Sequence, residues 1–171
     1  MSDQTKTDTE ERVVNAYTKI LQNLREILDT SSKITKAEFD RALRKAGTSL
    51  EEASKFTQSE IDKASKAIQK DWQSLVNVAN KQKTNFLESE EFQRFTNTSL
   101  GVISKVAKSV QNWASLLDEK IDDQITYHTG EVAGSGSFEC KECGKTMQLK
   151  KSGRIPPCSG CKGSAFRRVF V

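Results

Sequence analysis

Four cysteines carry the strongest chemical signal in this chain. Cys140 and Cys143 form one CxxC pair, Cys158 and Cys161 a second, and 14 residues separate the pairs. Two thiolates three positions apart can grip one ion from a tight turn. Four of them satisfy the tetrahedral preference of zinc, with metal–sulfur bonds of about 2.3 Å. Gly144 follows the first knuckle directly, and Gly160 and Gly163 flank Cys161, which supplies the backbone freedom such turns use. With every coordination position taken by sulfur, no place is left for water or substrate, so one structural zinc ion is the expected cofactor. A rubredoxin-like redox iron suits the same knuckles and stands as the alternative.

The residues around the cysteines read as short strands. Thr146–Lys150 forms one, Lys151-Ser152-Gly153 a turn, Arg154–Pro157 the return, and Ala165–Val171 a third strand. Residues 138–171 are thus expected to be a small β zinc ribbon. A module of this size cannot bury enough surface to fold alone, and metal binding worth about 10–16 kcal/mol would supply the missing stability.

The charge is uneven. Residues 1–137 hold 19 Lys/Arg against 21 Asp/Glu, whereas residues 138–171 hold 8 against 2. Lys141, Lys145, Lys150, Lys151, Arg154, Lys162, Arg167 and Arg168 are therefore the candidate face for nucleic acid or an acidic partner. Phe138, Phe166 and Phe170 could stack bases there, or form the core of the ribbon.

The remainder must position this tip. Residues 1–8 read as a disordered start and 9–128 as a helical domain. Val14, Tyr17, Leu21, Leu24 and Leu28 step by three and four, as do Phe39, Leu43, Ala46, Leu50 and Ala53. Thr35–Glu38 and Thr57–Glu60 have the capping-box form, and Gly47 marks a kink or a break. Ile61, Ala64, Ile68, Trp72, Leu75, Ala79 and Phe86 make a third stripe. Leu100, Ile103, Ala107, Val110, Ala114, Leu117 and Ile121 make a fourth, opened by Asn97-Thr98-Ser99. The expected fold is mainly α, an antiparallel helical bundle or elongated helical hairpin with coiled-coil-like packing, ending in the β ribbon. Residues 129–137, with three glycines and two serines, read as a flexible linker between the two.

Tyr127-His128-Thr129-Gly130-Glu131-Val132, a Gly-rich step and two CxxC knuckles resemble the bacterial YbeL-like zinc-ribbon-containing family. Phe56–Asp62, running into a helix with Lys70-Asp71, is similar to it as well. The resemblance covers roughly residues 9–171 and implies a helical region joined to a ribbon, with the four cysteines as ligands. It implies no catalytic residues, and its members are largely of unassigned biochemical function. Lys162 intervenes between Cys161 and Gly163, a departure from the family's second knuckle that bears on the turn and not on the ligands.

Catalysis is not expected. A di-iron centre needs a Glu-x-x-His motif from each of two helices, and the chain has one histidine, His128. His128 is read as orienting the start of the ribbon, and the pairs Glu90-Glu91 and Asp122-Asp123 as solvated helix surface. No run approaches the roughly 18 apolar residues of a membrane span, and the polar, acidic start is no signal peptide, so a cytoplasmic location is expected. The favoured function is a non-enzymatic protein-interaction adaptor or regulator, using its helices for a partner or self-association. Nucleic-acid binding by the basic ribbon is the alternative; neither a membrane nor a small-molecule substrate is expected.

Overall fold

Two capping boxes set the helical region. In the computed structural model, which describes residues 2–29, 35–82 and 125–169, α1 spans Ser2–Asp29, α2 Lys36–Glu52 and α3 Gln58–Gln82. Thr35 Oγ1 accepts from the Glu38 amide at 3.2 Å while Glu38 reaches back to the Thr35 amide at 2.7 Å. Thr57 and Glu60 repeat the arrangement at 3.3 and 2.8 Å. Two orphan amides are thereby satisfied at each start.

The first residues are not the disordered start that their polarity suggests, because α1 begins at Ser2. No proline or glycine interrupts the segment. Nor does Gly47 break α2. It is buried within a continuous helix, and a Cβ there would stand 3.0 Å from Ile61 Cγ2. Glycine lets α2 approach α3 closely, which offsets its weak helix propensity.

Tyr17, Ile20, Leu24, Phe39, Leu43, Ala46, Leu50, Ile61, Ala64, Ile68 and Trp72 form one buried cluster. Phe39 stacks on Trp72 with ring centroids 4.3 Å apart. Arg12 reaches Glu60 and Tyr17 reaches Asp71, so α1 and α3 run the same way, with α2 reversed between them. Val14 is only half-buried, and Ala53 is exposed and caps α2. The side chains of Leu75 and Ala79, and the readings on Phe86, Glu90-Glu91, Asn97–Ser99, the Leu100–Ile121 stripe, Asp122-Asp123 and Phe170, lie outside the described residues. Among the described residues no helix is long and apolar enough to cross a membrane.

The β part is larger than the cysteine region alone. Strands β1 (Tyr127–His128), β2 (Val132–Ala133), β3 (Gly136–Cys140), β4 (Thr146–Leu149), β5 (Gly153–Arg154) and β6 (Ala165–Val169) form two antiparallel sheets. One has the order β1-β6-β3-β4 and the other pairs β2 with β5. The return after β4 therefore joins β2, with Val132 opposite Arg154.

The expected linker is consequently not a linker. Val132, Ala133, Gly134, Ser135 and Ser137 are buried, and Val132 belongs to the helical core itself. Small residues serve close packing here, not flexibility. Gly136, at φ 148°, leaves room for Arg168, whose Nη1 would clash with a Cβ at that position.

Arg168 passes over Phe138 and Tyr127, 4.6 and 5.4 Å from their ring centroids, and donates to Asp71 Oδ1 at 2.6 Å. Asp71 also accepts from Tyr127 at 2.9 Å, from the Gly134 amide at 2.6 Å and from Tyr17. Four donors from four segments of chain thus saturate one buried carboxylate. Burial opposes the Arg168 charge, but Asp71 and then Tyr127 outweigh it and hold the guanidinium above its ordinary value. Burial first, then the Asp71 charge, pushes both tyrosines up, so both stay protonated donors.

Arg168→Met leaves the Asp71 charge without its cation and is expected to cost about 3–5 kcal/mol in urea unfolding of the metal-loaded chain. The double variant Asp71→Asn/Arg168→Met should recover part of that loss. A change within about 0.5 kcal/mol, usual for a surface cation, would contradict the buried pair. Glu60 supplies a pH signature. The hydrogen bond from Arg12 holds it below its ordinary 4.5, against burial and with help from Thr57. Its contribution is present above the unfolded value and fades as pH falls through the lower folded one. The melting-temperature gap between wild type and Glu60→Gln should therefore be full at neutral pH and shrink below about pH 4.

Candidate metal centre and its basic surround

Two knuckles of one design bring the sulfurs together. In the first, Gly144 N–H donates to Cys140 O at 2.9 Å and Cys140 N–H to Lys145 O at 3.0 Å. In the second, Lys162 N–H donates to Cys158 O at 2.9 Å and Cys158 N–H to Gly163 O at 3.0 Å. The fourth residue after each leading cysteine is left-handed, with φ 72° at Gly144 and 64° at Lys162. A lysine in that conformation costs about 1–2 kcal/mol. The departure around Lys162 thus changes which residue carries the strain, while the turn itself is kept.

All four Sγ atoms lie within 4.8 Å of one another. Cys140 Sγ is 3.6 Å from Cys161 Sγ, and Cys143 Sγ is 3.6 Å from Cys158 Sγ. A tetrahedron with bonds of about 2.3 Å places its sulfurs about 3.8 Å apart, whereas a disulfide requires about 2.05 Å. The cysteines are free thiols at the spacing one ion needs. Cys140 and Cys158 are buried with Tyr127, Phe138, Ile155 and Phe166 in the ribbon's own core, so the metal site and the packing are continuous. Cys143 and Cys161 face outward.

The amides favour the first negative charge in this cluster. Hydrogen bonds from Cys161 and Gly160 N–H lower the Cys158 thiol to about 6. Cys161 also has an N–H donor, Gly163, at 3.4 Å, yet its sulfur neighbours Cys143, Cys140 and Cys158 push it up to about 12. The Cys158 thiolate forms readily while that of Cys161 is opposed, an imbalance a thiophilic divalent cation relieves.

The eight expected partner-binding cations separate into two groups. Lys141, Lys145, Lys150, Lys151, Lys162 and Arg167 are exposed. Lys141 donates to Thr126 Oγ1 at 2.9 Å and Arg167 to Glu139 at 2.7 Å. Arg154 and Arg168 do not belong to this face. Arg154 is turned inward, donating to Gly130 O and, at 3.2 Å, to Glu10 O. Arg168 is fully buried against Asp71. Phe138 and Phe166 are likewise fully buried and present no stacking surface.

The residues that sequence reasoning missed are Asp71, Tyr17 and Tyr127. Asp71 and Tyr127 lie within the two segments that carried the family resemblance, and the structure shows that those segments face each other. Lys70 donates to Glu131 at 2.5 Å, and His128 Nδ1 lies 3.4 Å from the same carboxylate. His128 is half-exposed on the first strand of the ribbon, beside Glu131 of the β1–β2 turn.

A family model described as a zinc-ribbon containing domain matches residues 7–170. Neither the curated proteins nor the solved structures give a match. The match spans helices and ribbon together, in keeping with their packing as one unit. Cys143→Ser should reduce bound metal well below one ion per chain by elemental analysis of the purified protein. Retention of one full equivalent would contradict the ligand assignment.

Proposed function

The chain belongs to the zinc-ribbon-containing family, and from that premise we propose a non-enzymatic docking protein whose basic, zinc-stabilised tip receives an acidic protein segment. The ion is zinc, held by Cys140, Cys143, Cys158 and Cys161 in a closed shell that leaves no position for a substrate. Thiolates of this kind persist in a reducing compartment, consistent with work in the cytoplasm. Helices and metal do not act chemically. They hold a charged surface in one orientation, which lowers the ordering cost of association.

One observation carries this reading above the nucleic-acid alternative. The exposed lysines remain at the tip, but among the described residues the two rings expected to stack bases, Phe138 and Phe166, are buried. What is left among the described residues is a set of flexible point charges around a rigid knob, suited to steering an acidic segment onto it. The exposed backbone and side chains of β4, between Lys145 and Lys150, offer such a segment an extended place to lie.

The test uses zinc-loaded protein cross-linked in its own cells, with wild type compared against Lys145→Glu/Lys150→Glu/Lys151→Glu. The expected outcome is a defined set of proteins that survives nuclease treatment and is lost in the triple variant, with zinc content unchanged. Recovery that disappears on nuclease treatment would overturn the protein reading in favour of nucleic acid.

A further inference from the structure

Docking of the ribbon creates a second basic feature, away from the cysteines. A half-open cleft of about 490 Å³ lies where α1, α3, the β1–β2 turn and β5 meet. Lys63, Lys66 and Lys70 enter it from α3, and their spacing of three and four puts them on one helical face. Arg154 enters from the ribbon, and Glu10 and Glu131 complete the charged lining. The balance is four cations against two carboxylates.

The charges are not equivalent. Glu131 holds Lys70 at 2.5 Å, and Glu10 lies 3.7 Å from Arg154 Nε, so these pairs brace the walls. Lys63 and Lys66 are more exposed, and among the described residues neither has a carboxylate within ion-pair distance. Val13, Ala67 and Val132 give the same cleft an apolar part. An open pair of ammonium groups beside an apolar wall is matched by a dianion with an organic portion. A phosphomonoester, carrying about −1.5 to −2 at neutral pH, has that charge, and the volume exceeds what a bare phosphate fills, within the range of small-ligand sites.

We infer that the cleft between α1, α3 and the ribbon binds a small phosphate ester, with Lys63 and Lys66 contacting the phosphate and Val13, Ala67 and Val132 contacting the organic group. Both walls contribute, so the ligand reports on the joint between helices and ribbon. Its site is separate from the cysteines and from the exposed lysines of the tip.

Amide NMR spectra of the full, zinc-loaded chain test this, with phenyl phosphate, inorganic phosphate and benzyl alcohol as probes at matched ionic strength. Phenyl phosphate should give saturable shifts at Gly130, Glu131 and Val132, at lower concentration than inorganic phosphate, and benzyl alcohol should give none. Lys63→Gln/Lys66→Gln should weaken phenyl phosphate about tenfold while metal content and melting temperature stay as in wild type. Shifts reproduced by sodium chloride, equal saturation by inorganic phosphate, or indifference to the double variant would each overturn the site. A short oligonucleotide that moves these amides where phenyl phosphate does not would overturn the small-ester assignment.

Discussion

The carboxylate of Asp71 is withdrawn from water and accepts from Tyr17 on α1, Tyr127 on β1, Gly134 between β2 and β3, and Arg168 on β6. An isolated charge at that depth would be prohibitively costly. Four donors, one of them the stacked guanidinium of Arg168, make it tolerable, and only when their four segments and α3 are in place together. A buried pair of this kind contributes less to net stability than to uniqueness, since arrangements that break it leave a bare charge. It therefore fixes how the ribbon sits on the helices.

The cysteine cluster works at the far side of the same small core. On the paired strands β3 and β6, Phe138 stands opposite Arg168 and Phe166 opposite Cys140, and both rings share one core with Cys140 and Cys158. One polar centre anchors the ribbon to α3, and the other closes its tip around an ion. Val132 adds an apolar tie by entering the helical core. A tip fixed at both ends presents its lysines in a constant geometry, and the joint that fixes it also brings Lys63, Lys66, Lys70 and Arg154 to one cleft.

Local signals in the sequence were readable because their chemistry is local. The CxxC spacing, both capping boxes, the helical stripes of α1, α2 and α3 and the strand after the first knuckle depend on residues a few positions apart. What escaped depends on distance along the chain. Arg168 and Asp71 are 97 residues apart, and nothing in Arg167-Arg168 distinguishes the surface cation from the buried one except strand alternation, which places them on opposite faces. Composition misled at residues 129–137, because glycine and serine serve a tight packed turn as readily as a flexible one. Polarity misled at residues 1–8, where α1 starts. The cleft was invisible because its walls come from four separate stretches.

The amide of Gly134 reports most directly on whether helices and ribbon are one body, since it donates to Asp71 from the middle of the Gly/Ser-rich stretch. Native-state hydrogen exchange on the metal-loaded chain should show it opening with the same free energy as the amides of Ile20 and Phe39, that is, only with global unfolding. Exchange of Gly134 at the rate of an unprotected chain, with the helical core still protected, would contradict the account.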